Sequence, residues 1–216
     1  MTFSTTQVLA AKGYGCHQFA AVPEPIVLSR RLREETVALH KTVERAARLP
    51  DCVTTLDDYT ACLLRFLALF APLEAELAAW DQWESIGIDL QTRCRAPALL
   101  ADLQQLGHAP PALAATPAFP NFAAAIGCLY VLEGSTLGGK FLLNNFTQTL
   151  GPSINGATAF FAGHGAAAGT AWNTFRAAID AYGAAHPAEQ DDVLAGAAAT
   201  FRLFAAGLPA PITRPA

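Results

Sequence analysis

The chain is poor in charge. Only 15% of its 216 residues are Asp, Glu, Lys or Arg, and no long basic run occurs. Nucleic acid requires a concentrated positive footprint. A net charge of −4 supplies none, so nucleic acid is not expected as a partner. Long apolar runs are also missing. The longest uncharged one, Phe122 to Leu132, has eleven residues, too few to cross a bilayer. The start, MTFSTTQVLAAKGYGCHQF, lacks the charged head and continuous apolar core of a secretory signal. The chain therefore reads as soluble and cytoplasmic, with no membrane partner.

Several metal and redox signatures are absent as well. Cys16, Cys52, Cys62, Cys94 and Cys128 form no C-x-x-C pair. Their odd count and wide spacing fit reduced thiols rather than a disulfide frame. H-E-x-x-H does not occur, which argues against a zinc hydrolase. No Glu-x-x-His pair occurs, which argues against a ferritin-like di-iron site.

What is present is apolar and helical. Apolar residues make up 52% of the chain, and alanine is frequent. Alanine loses no side-chain entropy in a helix and lets helices approach closely. The expected fold is all-α and single-domain. Residues 1–25 read as an irregular N-terminal segment, 26–208 as the helical domain and 209–216 as a tail. Periodicity predicts a first helix from Val27 to Arg48 and a second from Leu56 to Trp80. Thr55 with Asp58 supplies a start signal for the second, and Pro72 is placed to kink or split it. Pro97 opens a third helix, which Gly107 stops. After the proline-rich connector HAPPALAATPAFP, a helical region runs from Asn121 towards Leu150. Helical spacing resumes in TAFFAGHGAAAGTAWNTFRAAIDAYG, weakened by Gly163 and Gly165, and a last helix covers Ala188 to Ala206. About seven helices are expected.

LYVLEGSTLGGKFLLNNF, Leu129 to Phe146, contains G-x-x-x-x-G-K at Gly134, Gly139 and Lys140. A nucleotide-binding P-loop needs Ser or Thr next, to hold Mg²⁺, and a preceding strand. Phe141 follows instead, and the flanking sequence is helical. On a helix, Gly127, Gly134 and Gly138 share one side. Each glycine costs a helix about 1 kcal/mol relative to alanine. Two readings are open: a bare groove for a flat ligand, or close packing of a neighbouring helix. Gly138–Gly139 also lets the helix bend. The polar pair Ser135 and Thr136 either lines the same groove or bonds to the preceding turn.

In the first helix, Arg33, Thr36, His40 and Glu44 fall in one sector, beside an apolar stripe of Leu28, Leu32, Leu39 and Val43. Imidazole is a good iron ligand, and its second nitrogen needs a partner, which Glu44 can provide one turn on. Arg33 lies on the same side, placed to meet a carboxylate. A histidine at a helix edge is also compatible with an ordinary, partly buried polar residue.

These stretches together resemble the heme oxygenase family, and within it the bacterial, biliverdin-producing members associated with bacteriophytochromes. LREETVALHKTVE (32–44) resembles the proximal helix, YVLEGSTLGGKF (130–141) the distal helix, and FFAGHGAAAGTAWNTF (160–175) a later segment of that subgroup. The likeness covers about residues 27–206 and implies a fold that sandwiches heme between the two helices. It implies His40 as proximal iron ligand, Arg33 and Arg176 near the propionates, and Thr36 and Glu44 around the histidine. It implies Gly134, Gly138 and Gly139 as main chain over the distal face, with Gly134, Ser135 and Gly138 beside the reacting oxygen. Ser135 departs from the family, many of whose members carry aspartate there. His164 stands where the subgroup carries tyrosine.

The implied activity is oxidative opening of heme to biliverdin, CO and ferrous iron, with heme as both substrate and cofactor. Electrons must come from a ferredoxin, flavodoxin or reductase, because the chain carries no flavin or iron–sulfur signature. A bacteriophytochrome is an expected consumer of the product. Three other readings compete: a heme carrier or sensor on the same fold, a helical interaction module without heme, and a cofactor-free oxidase or hydrolase.

Overall fold

One helix lies at the centre of the structure, and its composition explains why. The computed structural model describes residues 27–109, 111 and 118–208. The predicted N-terminal segment 1–25, the tail 209–216 and part of the proline-rich connector lie outside the described residues. The central helix is α4, Phe122–Thr136; every residue from Phe122 to Glu133 is buried. A helix apolar on all sides has to be enclosed by others. The described residues form eight α-helices. Besides α4 these are α1 Leu28–Ala47, α2 Leu56–Leu77, α3 Ala96–Gln105, α5 Gly139–Leu150, α6 Ala159–Ala162, α7 Ala168–Ala185 and α8 Gln190–Gly207. The eighth arises because the segment read as one weakened helix divides. Gly163 and Gly165 take positive φ (55° and 56°), which separates the four-residue α6 from α7.

Local signals set several boundaries. Thr55 and Asp58 form the expected capping box on α2. Asn121 caps α4 by accepting from the Ala124 N–H at 2.9 Å, and its amide donates to Asp192 of α8 at 2.8 Å. Pro72 does not split α2, which continues to Leu77. The buried row Phe66, Phe70, Leu73 and Leu77 holds the helix in place across the missing hydrogen bond.

α8 is the platform of the fold, because both α4 and α1 pack against it. The α4–α8 crossing depends on glycine from both sides. A Cβ on Gly127 would lie 2.0 Å from the Val193 carbonyl oxygen, and one on Gly196 would lie 2.1 Å from that of Ala124. Gly127 therefore serves helix packing rather than a ligand groove, which resolves that position in favour of the packing reading.

Two buried carboxylates pass position from helix to helix. Glu74 of α2 accepts from the N–H groups of Arg95 and Ala96 at the start of α3 (2.6 and 3.0 Å). Asp102 of α3 accepts from Ala159 and Phe160 at the start of α6 (2.8 and 2.9 Å). Each caps a helix that lacks a side-chain cap of its own. The second contact fixes Phe160 and Phe161, which stack in an aromatic cluster with Phe66 and Phe146 at centroid distances of 5.0 to 5.8 Å.

Among the described residues no single helix is long and apolar enough to cross a membrane; the bent α4–α5 pair together has the length and apolar composition, but α4 is buried from Phe122 to Glu133.

Replacing Asp102 with Asn exchanges one acceptor oxygen for a donor and leaves a buried N–H of α6 unpaired. Asp102→Asn is expected to lower unfolding stability by about 1–3 kcal/mol, measured by urea denaturation. Burial raises the Asp102 carboxyl above its ordinary value of about 4. The folded state then holds that proton more tightly than the unfolded chain. This part of the stability is fully present below the ordinary value and is lost as pH rises through the raised one. Asp102→Asn should flatten the pH–stability curve over that window.

Candidate functional site

α1 and the α4–α5 junction face each other across a cleft. α1 buries Leu28, Leu32 and Thr36 near its start and Ala47 at its end, but leaves its middle uncovered. α4 ends at Thr136 and α5 begins at Gly139, and the axis turns by 41° between Phe122–Thr136 and Gly139–Ile154. The bend falls at the expected glycines. Two adjoining cavities of about 540 and 640 Å³ occupy the gap. They share His40 and Val43 from α1, Gly134, Ser135 and Leu137 from the bend, and Phe204 from α8.

His40 projects into this space with 57% of its side chain exposed. The edge-on ring of Phe201, 5.9 Å away, props the imidazole from behind. Nδ1 lies 3.5 Å from a Glu44 oxygen, so the carboxylate of the next turn faces that nitrogen. Thr36 lines the larger lobe, and its hydroxyl donates to the Leu32 carbonyl at 2.6 Å.

The two lobes differ in chemistry. The smaller ends on Phe66, Phe160, Phe161 and Leu142. The larger carries Arg30, Arg33 and Arg176. Arg176 donates to the Ser29 hydroxyl at 3.4 Å, and Ser29 in turn donates to Asp180 from its backbone N–H (2.7 Å) and hydroxyl (3.0 Å). α7 thus holds the start of α1 and places the arginines on one rim. Tyr130 faces the same lobe, with its ring 5.7 Å from Trp172. Burial raises the Tyr130 phenol while Arg33 and Arg176 pull it down; the balance is upward, so it stays a hydroxyl donor at neutral pH.

The glycines of the bend separate into two kinds. A Cβ on Gly139 would lie 2.4 Å from the Phe161 carbonyl oxygen, so the neighbouring backbone forbids a side chain there, although Gly139 also borders the smaller lobe. At Gly134 the nearest atom would be Trp172 at 3.8 Å, and at Gly138 the Ser135 carbonyl at 4.0 Å. The protein itself has room at both. Both glycines line the cavity that His40 also lines. Ser135 and Thr136 bond backwards, to the carbonyls of Leu132 (2.6 Å) and Glu133 (2.7 Å).

The cleft therefore joins the residues that the resemblance implied for the site, Arg33, Thr36, His40, Glu44, Gly134, Ser135, Gly138, Gly139 and Arg176, while Gly127 lies outside it. Periodicity did not reveal Tyr130, Trp172, Phe201 or Phe204, nor Arg30, one helical turn before Arg33. Glu133 turns away from the cleft and pairs with Arg93 at 2.9 Å and His164 at 3.7 Å. Among the described residues no three His, Cys, Asp or Glu side chains converge on a metal-sized site. One imidazole over a cleft is the donor set for a metal that arrives with its other ligands attached.

Fold and cleft together define an all-helical protein built to hold a flat, apolar disc with anionic groups at one edge. A family model described as heme oxygenase matches residues 27–208. A heme oxygenase of Xanthomonas campestris pv. campestris (strain 8004) is 34% identical over 150 residues, covering 68% of this chain and 87% of that protein. The fold is similar to the NO- and CO-bound heme oxygenase of Neisseria meningitidis. That likeness has a TM-score of 0.70 at 20% identity, over 85% of this chain and 90% of that one. It is also similar to heme oxygenase 2 of Chlamydomonas reinhardtii, crystallised without heme, with a TM-score of 0.65 at 23% identity over 84% and 95%. The chain belongs to the heme oxygenase family.

The two kinds of glycine respond differently to alanine. Gly127→Ala and Gly139→Ala are expected to lower apoprotein stability by about 1–3 kcal/mol through overpacking. Gly134→Ala should leave it unchanged or higher, since alanine is the better helix former. Thermal unfolding of the ligand-free variants measures the contrast.

Proposed function

We infer that the cleft holds heme between α1 and the α4–α5 bend, where His40 would ligate the iron and Arg30, Arg33, Arg176 and Tyr130 would hold the propionates. The protein is an enzyme that opens heme oxidatively to biliverdin, CO and ferrous iron, using O₂ and electrons supplied from outside. One observation carries the placement. The main chain at Gly134 and Gly138 is bare where nothing in the protein requires it, and it lines the same cavity as the His40 imidazole.

When bound, heme supplies both the iron that activates O₂ and the meso carbon that is attacked. The chain's residues do the rest. Glu44, with an oxygen 3.5 Å from Nδ1 of His40, is placed to accept from that nitrogen, which would orient the ring and raise the basicity of Nε2. Gly134 and Gly138 let the backbone approach the ligand plane and restrict how a small molecule stands on the iron. Ser135 already donates its hydroxyl proton to Leu132, so its oxygen is left as an acceptor facing the cleft. Val43, Leu137 and Phe204 exclude bulk water and strengthen each polar contact inside. The arginine rim holds carboxylates by charge-assisted hydrogen bonds and so fixes the in-plane rotation of the ring.

The reading extends to the bacterial subgroup that supplies biliverdin to bacteriophytochromes, supported by the likeness of YVLEGSTLGGKF and FFAGHGAAAGTAWNTF. A ferredoxin, flavodoxin or reductase serves as electron donor. A cytoplasmic location is supported by free thiols at Cys52, Cys62, Cys94 and Cys128; burial pushes Cys62 and Cys128 up to about 12.

Hemin added to the purified protein is expected to give a saturable, one-to-one Soret change, and a reductase in air should then yield bilin, resolved by chromatography. Saturable binding with a lasting ferrous-oxy spectrum and no bilin identifies a carrier or sensor instead. His40→Ala should abolish the histidine-ligated spectrum. Arg33→Ala and Arg176→Ala should each weaken hemin binding roughly 10-fold, the loss of one charged hydrogen bond. Replacing the propionates by methyl esters should remove that difference.

A further inference from the structure

The bare main chain over the cleft is short, and it is anchored on both sides. On the α5 side the anchor is steric: Gly139 lies against the Phe161 carbonyl. On the α4 side the anchor is a cluster of charged and polar groups that the reaction described above does not use. Glu133, immediately before Gly134, is 2% exposed. One of its oxygens pairs with Arg93 Nη1 at 2.9 Å, as an ion pair without hydrogen-bond alignment. The other faces His164 Nε2 at 3.7 Å. The Arg93 guanidinium sits over the Phe175 ring of α7, 5.3 Å from its centroid. Glu133 Oε1 and His164 Nε2 are both enclosed and have no other partner.

Such a cluster is a poor means of adding stability. Removing charges from water costs several kcal/mol per ion, and apolar replacements of buried ion pairs are often neutral or stabilising. Its use is to fix one arrangement among several. His164 belongs to the α6–α7 connection, and a Cβ on its neighbour Gly163 would lie 3.8 Å from Thr136. Thr136 in turn bonds back to the Glu133 carbonyl. The His164 ring nitrogen closes the cluster from the α6–α7 side, facing the Glu133 oxygen that Arg93 leaves free.

We propose that Arg93, Glu133 and His164 are positioning residues that set how closely the Gly134–Gly138 main chain approaches the iron side of the cleft, and hence the geometry of a diatomic ligand there. The proposal rests on the heme-cleaving reading above. None of the three residues lines the cleft, so their effect passes through the backbone of residues 134–138.

The test uses Glu133→Gln, His164→Leu and His164→Gln, the last because its amide keeps a polar group facing Glu133. Each is loaded with hemin, reduced and exposed to CO, and the C–O stretch is read by infrared spectroscopy alongside bilin formation. Glu133→Gln and His164→Leu are expected to keep hemin binding and histidine ligation. They should shift or broaden the C–O band and slow bilin formation about 10-fold or more, as small misplacements near a reacting centre do. His164→Gln should restore the band and most of the rate. A lowered melting temperature with the parent C–O band and rate would overturn the proposal and leave the cluster a structural tie. If Glu133→Gln fails to fold, the His164 pair decides alone. If the parent protein binds hemin but forms no bilin, the catalytic reading fails, while the C–O band still decides positioning.

Discussion

Everything in the cleft depends on the contact between α8 and the two helices that rest on it. Gly127 and Gly196 bring the α4 and α8 backbones into direct contact, so α4 cannot shift without collision. α1 packs on the same helix. The gap between His40 on α1 and Gly134 on α4 is therefore set by α8, which also fills its back wall with Phe201 and Phe204. A flat ligand needs two walls at a constant spacing, and a shared third helix holds that spacing more rigidly than any loop.

The glycine-rich stretch performs two tasks that look identical in one dimension. Gly139, like Gly127, admits a neighbouring backbone and cannot accept a Cβ. Gly134 and Gly138 have protein space beside them, and their lack of side chains serves the ligand. The difference lies in what stands opposite each Cα. The bend follows from the same stretch: α4 must be apolar and enclosed as far as Glu133, while α5 carries the polar residues of a surface helix.

Charge is sparse in this chain, and the structure concentrates it. Glu74 and Asp102 cap helices whose own caps are missing, and they carry position from α2 through α3 to the phenylalanine floor of the cleft. Arg30, Arg33 and Arg176 gather on one rim, with Ser29 and Asp180 tying two helices beneath them. Arg93, Glu133 and His164 join three segments behind the distal backbone. Each group acts where an apolar contact would leave register undefined, since hydrophobic packing tolerates sliding and a hydrogen bond does not.

The sequence alone determined the helical class and most helix boundaries, and resemblance to a family pointed to the two stretches that line the cleft. Helical periodicity and caps are local properties, and the Arg33–Glu44 sector needs only one helix to exist. It also showed where the chain bends, because two adjacent glycines weaken a helix wherever it lies. Only the tertiary structure decided which glycines pack and which face the cleft, that Glu133 turns away from it, and that Tyr130, Phe201 and Phe204 line it. Those outcomes depend on which residue from a distant segment arrives opposite each Cα. No periodicity along one helix encodes that arrival: it is set by how α1, α4 and α7 meet on α8.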